Sequence, residues 1–320
     1  MAGTHESVVL LKPVQELAVD CNIPPQRYIH KRSDEDIFVN SRVIDIPVID
    51  LNSIQSSSPS AEKQLEKLRT SLASCGCFQV IGHGMTGSFL HQVHSIGRDF
   101  FALSLKEKLK CSRTAEDTEG YGNDSELSDH QILDWNDRLY LTTNPQDQMK
   151  YQFWPQNPEN FREILQEYTE KIIMLNQVVF KALSRSLNLQ EKCFLDQYDG
   201  SAITFLLQDN EVDGLQVLKD DQWFSVPTVP NALLVNVGDQ LEIMSNGIFK
   251  SPLHRVVTSS ERERITVAVF CSPDSSRYIE PAEELISETS PKLYKKIKNY
   301  VGIFFENYQQ GKRAIEAVKM

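Results

Sequence analysis

Apolar residues recur at spacings of three and four in three stretches of the chain, and each stretch predicts a helix. Leu65, Leu68 and Leu72 mark the first, which follows the Ser-rich loop 53–60, has Pro59 suited to its first turn, and stops at Gly76. Phe89, Val93, Ile96, Phe100 and Leu103 mark the second and put His91 and His94 on or near its polar side, in solvent. The third runs from Phe161 through Ile164, Tyr168, Ile172, Leu175, Val179 and Leu183, entered by Trp154-Pro155. Short strands are expected at 46–50 and 77–81, residues 1–42 form an irregular arm with a helical patch, and 291–310 a last helical stretch.

The pattern changes near Asp199. From there to Pro273, short β-branched or aromatic runs follow one another at 202–207, 215–218, 223–226, 232–237, 248–250, 253–258 and 265–271, with turn signals at Gly238-Asp239 and Asn246-Gly247. Closely spaced strands imply a sandwich or barrel, and a double-sheet jelly roll is the economical choice. The expected fold is therefore α+β, a jelly-roll (double-stranded β-helix) core flanked by helices. Its divisions are a mixed N-terminal region (1–150), the long helix (151–198), the strand-rich core (199–275) and a helical end (276–320).

With 320 residues, 40% of them hydrophobic, there is material for one large core or two small ones. A formal charge of −11 argues against nucleic acid or anionic membrane as partner and for a small molecule, leaving the oligomeric state open. No eighteen apolar residues run together, and the short run 8–11 has no basic flank, so a cytoplasmic protein is expected. Six cysteines at 21, 75, 77, 111, 193 and 271 make no zinc or disulfide spacing and read as reduced, mostly buried thiols. Gly120-Tyr121-Gly122 lacks the third glycine of a dinucleotide loop, and no Gly-x-Ser-x-Gly element gives hydrolase chemistry a foothold. His83, with no partner at ligand spacing, reads as structural.

Four residues remain that carry chemistry together. Asp199 and His254 are potential metal ligands fifty-five residues apart, and ten residues on stands Arg264, followed by Thr266. Iron(II) without haem favours two His and one carboxylate on one face, with open positions. Arg264 and Thr266 share a face of an extended strand, where a guanidinium fork and a hydroxyl suit the terminal carboxylate of a 2-oxo diacid. Each has a bland alternative: Asp199-Gly200 is a turn signal, His254 a core histidine, and Arg264 part of the charged turn Glu261-Arg262-Glu263.

Beyond these residues, Cys77-Phe78-Gln79-Val80-Ile81-Gly82-His83-Gly84, Leu133-Asp134-Trp135, Phe153-Trp154-Pro155, Asn236-Val237-Gly238-Asp239 and Ser245-Asn246-Gly247 stand as landmarks along the chain. With them the chain resembles the plant soluble 2-oxoglutarate- and iron(II)-dependent dioxygenases, nearest to the branch of S-norcoclaurine synthase-like and codeine O-demethylase-like proteins. The resemblance implies a jelly-roll core and iron held by His-x-Asp and a distal His. It also implies 2-oxoglutarate clamped by Arg-x-Ser, O2 as oxidant, and hydroxylation or O-demethylation of a small alkaloid or phenolic. Asp199, His254 and Arg264 fall on those positions, and Thr266 replaces the Ser. Tyr121, Trp135, Phe205 and Phe249 are placed either along a flat substrate or in the core.

The departure from the family is as informative. Its members carry an Asn-x-Tyr-Pro-Pro-Cys-Pro segment and a further strand before the first His, whereas here Tyr198 passes straight into Asp199 and the ligand position holds Gln197. An excised segment, a shortened core and impaired iron binding are the expectation. The alternatives are a splice or gene-model variant or pseudoenzyme that keeps small-molecule binding, and a non-oxidative condensing enzyme.

Overall fold

The computed structural model describes residues 12–21, 23–29, 42–54, 58–114, 117–123, 132–196, 203–271, 277–308 and 312–320. In chain order, its first elements are α1 (Val14–Asp20), β1 (Arg42–Val43), β2 (Val48–Asp50), α2 (Leu51–Ile54), α3 (Pro59–Ser74), β3 (Cys77–Ile81) and α4 (Gly87–Phe101). Then come α5 (Leu105–Lys108), β4 (Gly120–Gly122), β5 (Arg138–Tyr140), α6 (Phe161–Ser186) and α7 (Cys193–Asp196). The strand-rich part holds β6 (Ile203–Leu207), β7 (Leu215–Lys219), β8 (Gln222–Ser225), β9 (Leu233–Val237), α8 (Asp239–Met244), β10 (His254–Val256) and β11 (Val267–Cys271). Finally come β12 (Tyr278–Ile279), β13 (Ile297–Lys298) and α9 (Tyr300–Tyr308). Two compact units result, residues 1–40 with 95–169 and residues 41–94 with 170–320.

In the first unit, Ile96, Phe100, Cys111, Tyr121 and Phe161 form one buried cluster, and Val14, Tyr28 and Leu133 another, with Trp135 packed edge-on against Tyr28. The hairpin β4–β5 presents Tyr121 to that core. Tyr121 is thus core, as are Phe205 and Phe249 of the second unit, while Trp135 is half-buried.

The second unit holds the jelly-roll sheets. One has the order β1-β8-β7-β10, the other β11-β6-β9-β3-β2. Their facing sides enclose Ile44, Ile46, Cys75, Cys77, Leu215, Val217, Val226 and Leu234, with Leu206 and Phe224 packed on. α3 begins with Pro59 in its first turn, as its sequence predicts, and Ser58 caps it, its Oγ accepting the Ala61 N–H at 3.3 Å. It ends at Gly76, at φ +67°, where a Cβ would stand 2.1 Å from the Lys250 carbonyl oxygen. Only glycine lets β3 start beside that backbone.

Three stretches differ from the sequence expectation. Residues 248–250 are not a strand, because Asn246 and Gly247 both take positive φ and turn the chain so that Lys250 N–H bonds Leu72 O at 2.9 Å. Gly238 caps α8 instead of turning between strands, with Asp239 and Glu242 favourable in its first turn. Among the described residues of 291–310 only Tyr300–Tyr308 is helical; Ile297–Lys298 pairs with Tyr278–Ile279 instead, anchored by Tyr294 Oη donating to Glu242 (2.8 Å) and Tyr300 Oη to Asp239 (2.6 Å). Among the described residues no helix is long and apolar enough to cross a membrane.

The core faces of both sheets run bare at one flank. In β10, His254 lies opposite Val217 and Val256 opposite Leu215, so both share the face of those core residues. Yet His254 is exposed and Val256 is 52% exposed. In β11, Ala268 and Phe270 lie opposite Leu206 and Thr204, again on the inner side, and Phe270 is 61% exposed. β10 and β11 are terminal in their sheets, so no barrel closes across them among the described residues.

Candidate functional site

Arg264 and Thr266 stand in the extended lead-in to β11, which begins at Val267 and not at 265. Arg264 is half-buried, with its Nε shielded from solvent. Its stem lies against Gly214, where a Cβ would come within 3.2 Å of Arg264 Cδ and 3.4 Å of Nε, and 2.7 Å from Val257 O. Burial pulls the guanidinium's pKa down, while the carboxylates of Asp209 and Asp213 pull the other way. Its Nε is buried without a hydrogen-bond partner among the described residues. A desolvated donor of this kind costs stability unless a ligand accepts from it.

Asp209 and His94 hold this segment in place. The N–H of Ile265 donates to Asp209 Oδ2 at 2.9 Å, and His94 Nε2–H donates to the Ile265 carbonyl oxygen at 2.8 Å. The other oxygen of Asp209 accepts from Glu211 N–H (2.9 Å) and Val212 N–H (3.2 Å). Burial alone would raise the Asp209 carboxyl, but these amide donors and the nearby His94 ring more than offset it and hold its pKa low. His94 is only 7% exposed, so the solvated placement expected for it is corrected. Leu90, one turn earlier on the buried side of α4, was the available signal.

His254 opens β10. Its Nδ1 lies 3.3 Å from Pro252 O, a contact in which Nδ1–H donates and Nε2 keeps its lone pair. One ordered nitrogen of this kind suits a metal ligand. His254 faces Val217, three positions along the chain from Gly214, on which Arg264 rests; at strand spacing that is roughly 10 Å. Asp199, and Gln197 beside it, lie outside the described residues. Among the described residues no group of three or more His, Cys, Asp or Glu is placed to hold a metal. Among the described residues, then, the buried Arg264 Nε is a donor of the kind a carboxylate would take and His254 offers one nitrogen of the kind a metal would take, which alone makes no metal site. His83 is structural, accepting at Nδ1 from Met85 N–H (3.2 Å) and donating from Nε2 to Asn231 O (2.9 Å).

Residues 184–273 match the 2OG-Fe(II) oxygenase superfamily, and residues 46–157 the N-terminal domain described as non-haem dioxygenase in morphine synthesis. The chain is 34% identical to codeine O-demethylase of Papaver somniferum, over 86% of this chain and 85% of that one. It is 31% identical to 2-oxoglutarate-dependent dioxygenase 11 of Oryza sativa subsp. japonica, covering 100% and 99%. That match runs over 357 positions against 320 residues here, leaving about 37 positions of the rice protein without a counterpart. Among solved structures, JOX2 in complex with 2OG, Fe and JA superposes with a TM-score of 0.83 at 28% identity, covering 98% of each chain. The chain belongs to the 2-oxoglutarate- and iron(II)-dependent oxygenases, enzymes that use 2-oxoglutarate, iron(II) and O2.

Proposed function

We propose that this chain is a 2-oxoglutarate-dependent oxygenase of plant specialised metabolism, for hydroxylation or O-demethylation of a small alkaloid or phenolic, in which the iron site is impaired. Arg264 and Thr266 are the carboxylate clamp: the guanidinium, freed of competing partners at Nε, binds the distal carboxylate of 2-oxoglutarate, and the Thr266 hydroxyl adds a third donor. His254 and Asp199 are the metal ligands that remain, with Gln197 where the family has its first His. A neutral amide is a weaker ligand for iron(II) than imidazole. Iron(II) with 2-oxoglutarate and O2 supplies the oxidising chemistry in the family; the protein's part is to bind and orient both acids and to keep water out. The six cysteines form no disulfide among the described residues, in keeping with a cytoplasmic setting.

The observation that carries the impaired reading is the bare flank. His254, Val256, Ala268 and Phe270 have inward register and outward exposure, as expected of a jelly roll lacking the segment that covers β10 and β11, and some 37 positions of the rice relative have no residue here. The same flank favours a second reading, a protein that binds 2-oxo diacids without turnover. Succinate release from 2-oxoglutarate under air, with and without candidate alkaloids, separates the two. A low but measurable release is expected of the impaired oxygenase and none of the binding protein, and in either case 2-oxoglutarate with manganese(II) should raise the melting temperature, a rise that Arg264→Ala removes. Tight one-to-one iron(II) binding with brisk succinate release would overturn the impaired reading.

A further inference from the structure

Ile265 separates the two proposed clamp residues, and both of its backbone polar groups are bonded by side chains from elsewhere in the fold. The N–H joins it to the Arg264 peptide and is taken by Asp209 Oδ2; the carbonyl joins it to the Thr266 peptide and is taken by His94 Nε2. Asp209 is 2% exposed, and His94 Nε2 stands 4.0 Å from Asp209 Oδ2, so the two side chains meet beside the Ile265 backbone and bond both of its polar groups. Asp209 is itself immobilised by Glu211 and Val212 N–H.

Nothing in β11 does this work. The ladder to β6 begins at Val267, paired with Leu207, so residues 264–266 have no strand partner among the described residues to fix their register. Without the side-chain pair, the segment presenting the guanidinium and the hydroxyl would be a loop beside an edge. We infer that His94 and Asp209 are positioning residues for the 2-oxo diacid: by gripping Ile265 they set the direction of the Arg264 and Thr266 side chains and hence selectivity for a distal carboxylate. The inference rests on the clamp reading given above.

The grip asks different things of its two members. His94 must donate, which glutamine can also do and phenylalanine cannot. Asp209 must accept at both oxygens, and asparagine offers only one acceptor while leaving an amide donor facing a donor.

The test compares His94→Phe, His94→Gln and Asp209→Asn with wild type in the full chain. One arm follows amide hydrogen exchange of the segment 262–268. The other measures, with manganese(II) present, the affinity ratio of 2-oxoglutarate to 2-oxobutanoate, which lacks the distal carboxylate. We expect exchange at least tenfold faster in His94→Phe and Asp209→Asn, a preference for 2-oxoglutarate reduced about tenfold, and substantial recovery of both in His94→Gln. Unchanged exchange, or equal loss of both acids with the ratio preserved, would overturn the inference. If Asp209→Asn does not fold, the two His94 variants decide alone. If wild type binds neither acid, the clamp reading fails, and the exchange arm still shows whether the two side chains hold Ile265.

Discussion

Gly214→Ala isolates the packing beneath the proposed clamp. Gly214 does not take the left-handed backbone conformation, so the effect of a methyl group is steric. The added Cβ would stand 2.7 Å from Val257 O, inside van der Waals contact, and 3.2 Å from Arg264 Cδ. Val257 is tied to the same residue by its N–H donating to Gly214 O at 2.8 Å, so it cannot retreat without lengthening that bond. Overpacking of this kind costs about 1–3 kcal/mol, and a weakened backbone bond about 1 kcal/mol more. At about 2 °C per kcal/mol for a chain of this length, the melting temperature should fall by roughly 4–8 °C. The Arg264 stem, pressed from below, should lose the charge-assisted contact to a distal carboxylate, worth about 1.5–3 kcal/mol, or roughly 10–150-fold in affinity. Thermal denaturation with and without 2-oxoglutarate, together with titration calorimetry, reads both effects. A variant that melts like wild type refutes the packing argument. One that melts lower but binds 2-oxoglutarate as well as wild type shows that Gly214 does not set the guanidinium.

Four further outcomes are expected. Gln197→His restores an imidazole two residues before Asp199 and should tighten manganese(II) binding at least about tenfold, or 1.4 kcal/mol; an unchanged titration would show that the lost ligand is not what limits the site. Because the Asp209 pKa is lowered on folding, its contribution is present above the ordinary aspartate range, near ~3.9, and is lost as pH falls through the still lower folded value. The stability gap between wild type and Asp209→Asn should therefore be full at neutral pH and shrink in acid, and denaturant titrations across pH that show a constant gap contradict this. Tyr294→Phe deprives buried Glu242 of the 2.8 Å bond from the phenol and should cost about 1–3 kcal/mol in urea denaturation, whereas a neutral result would mean that water replaces the donor. Phe270→Lys should lower the binding of an apolar fluorescent dye and the tendency to aggregate while changing stability by no more than ~0.5 kcal/mol; a large loss of stability would mean that the flank is covered.

What the sequence made legible follows from how local each signal is. α3, β3 and α6 are written in residues that neighbour one another along the chain: Pro59 in a first turn, a stop at Gly76, a 3.6-residue stripe from Phe161. β13 and the short α9 were not legible, because their placement depends on Glu242 and Asp239 accepting from Tyr294 and Tyr300, partners more than fifty residues away. The same division runs through the candidate site. Arg264, Thr266 and His254 carry their chemistry in their side chains and stand out in the sequence. Asp209 and His94 do not, because what they bond is the backbone of Ile265, and a backbone partner leaves no mark on residue choice at the bonded position. His94 was placed in water for that reason: a polar residue at the margin of an apolar stripe looks solvated unless an acceptor waits across 171 residues of chain. The bare flank is different again, since the inward register of His254, Val256, Ala268 and Phe270 comes from the strand pairing, and only the fold reveals that nothing described lies over them. A missing cover is thus legible only when pattern and exposure disagree, and they disagree at the two strands that flank the proposed clamp and carry the one described candidate ligand.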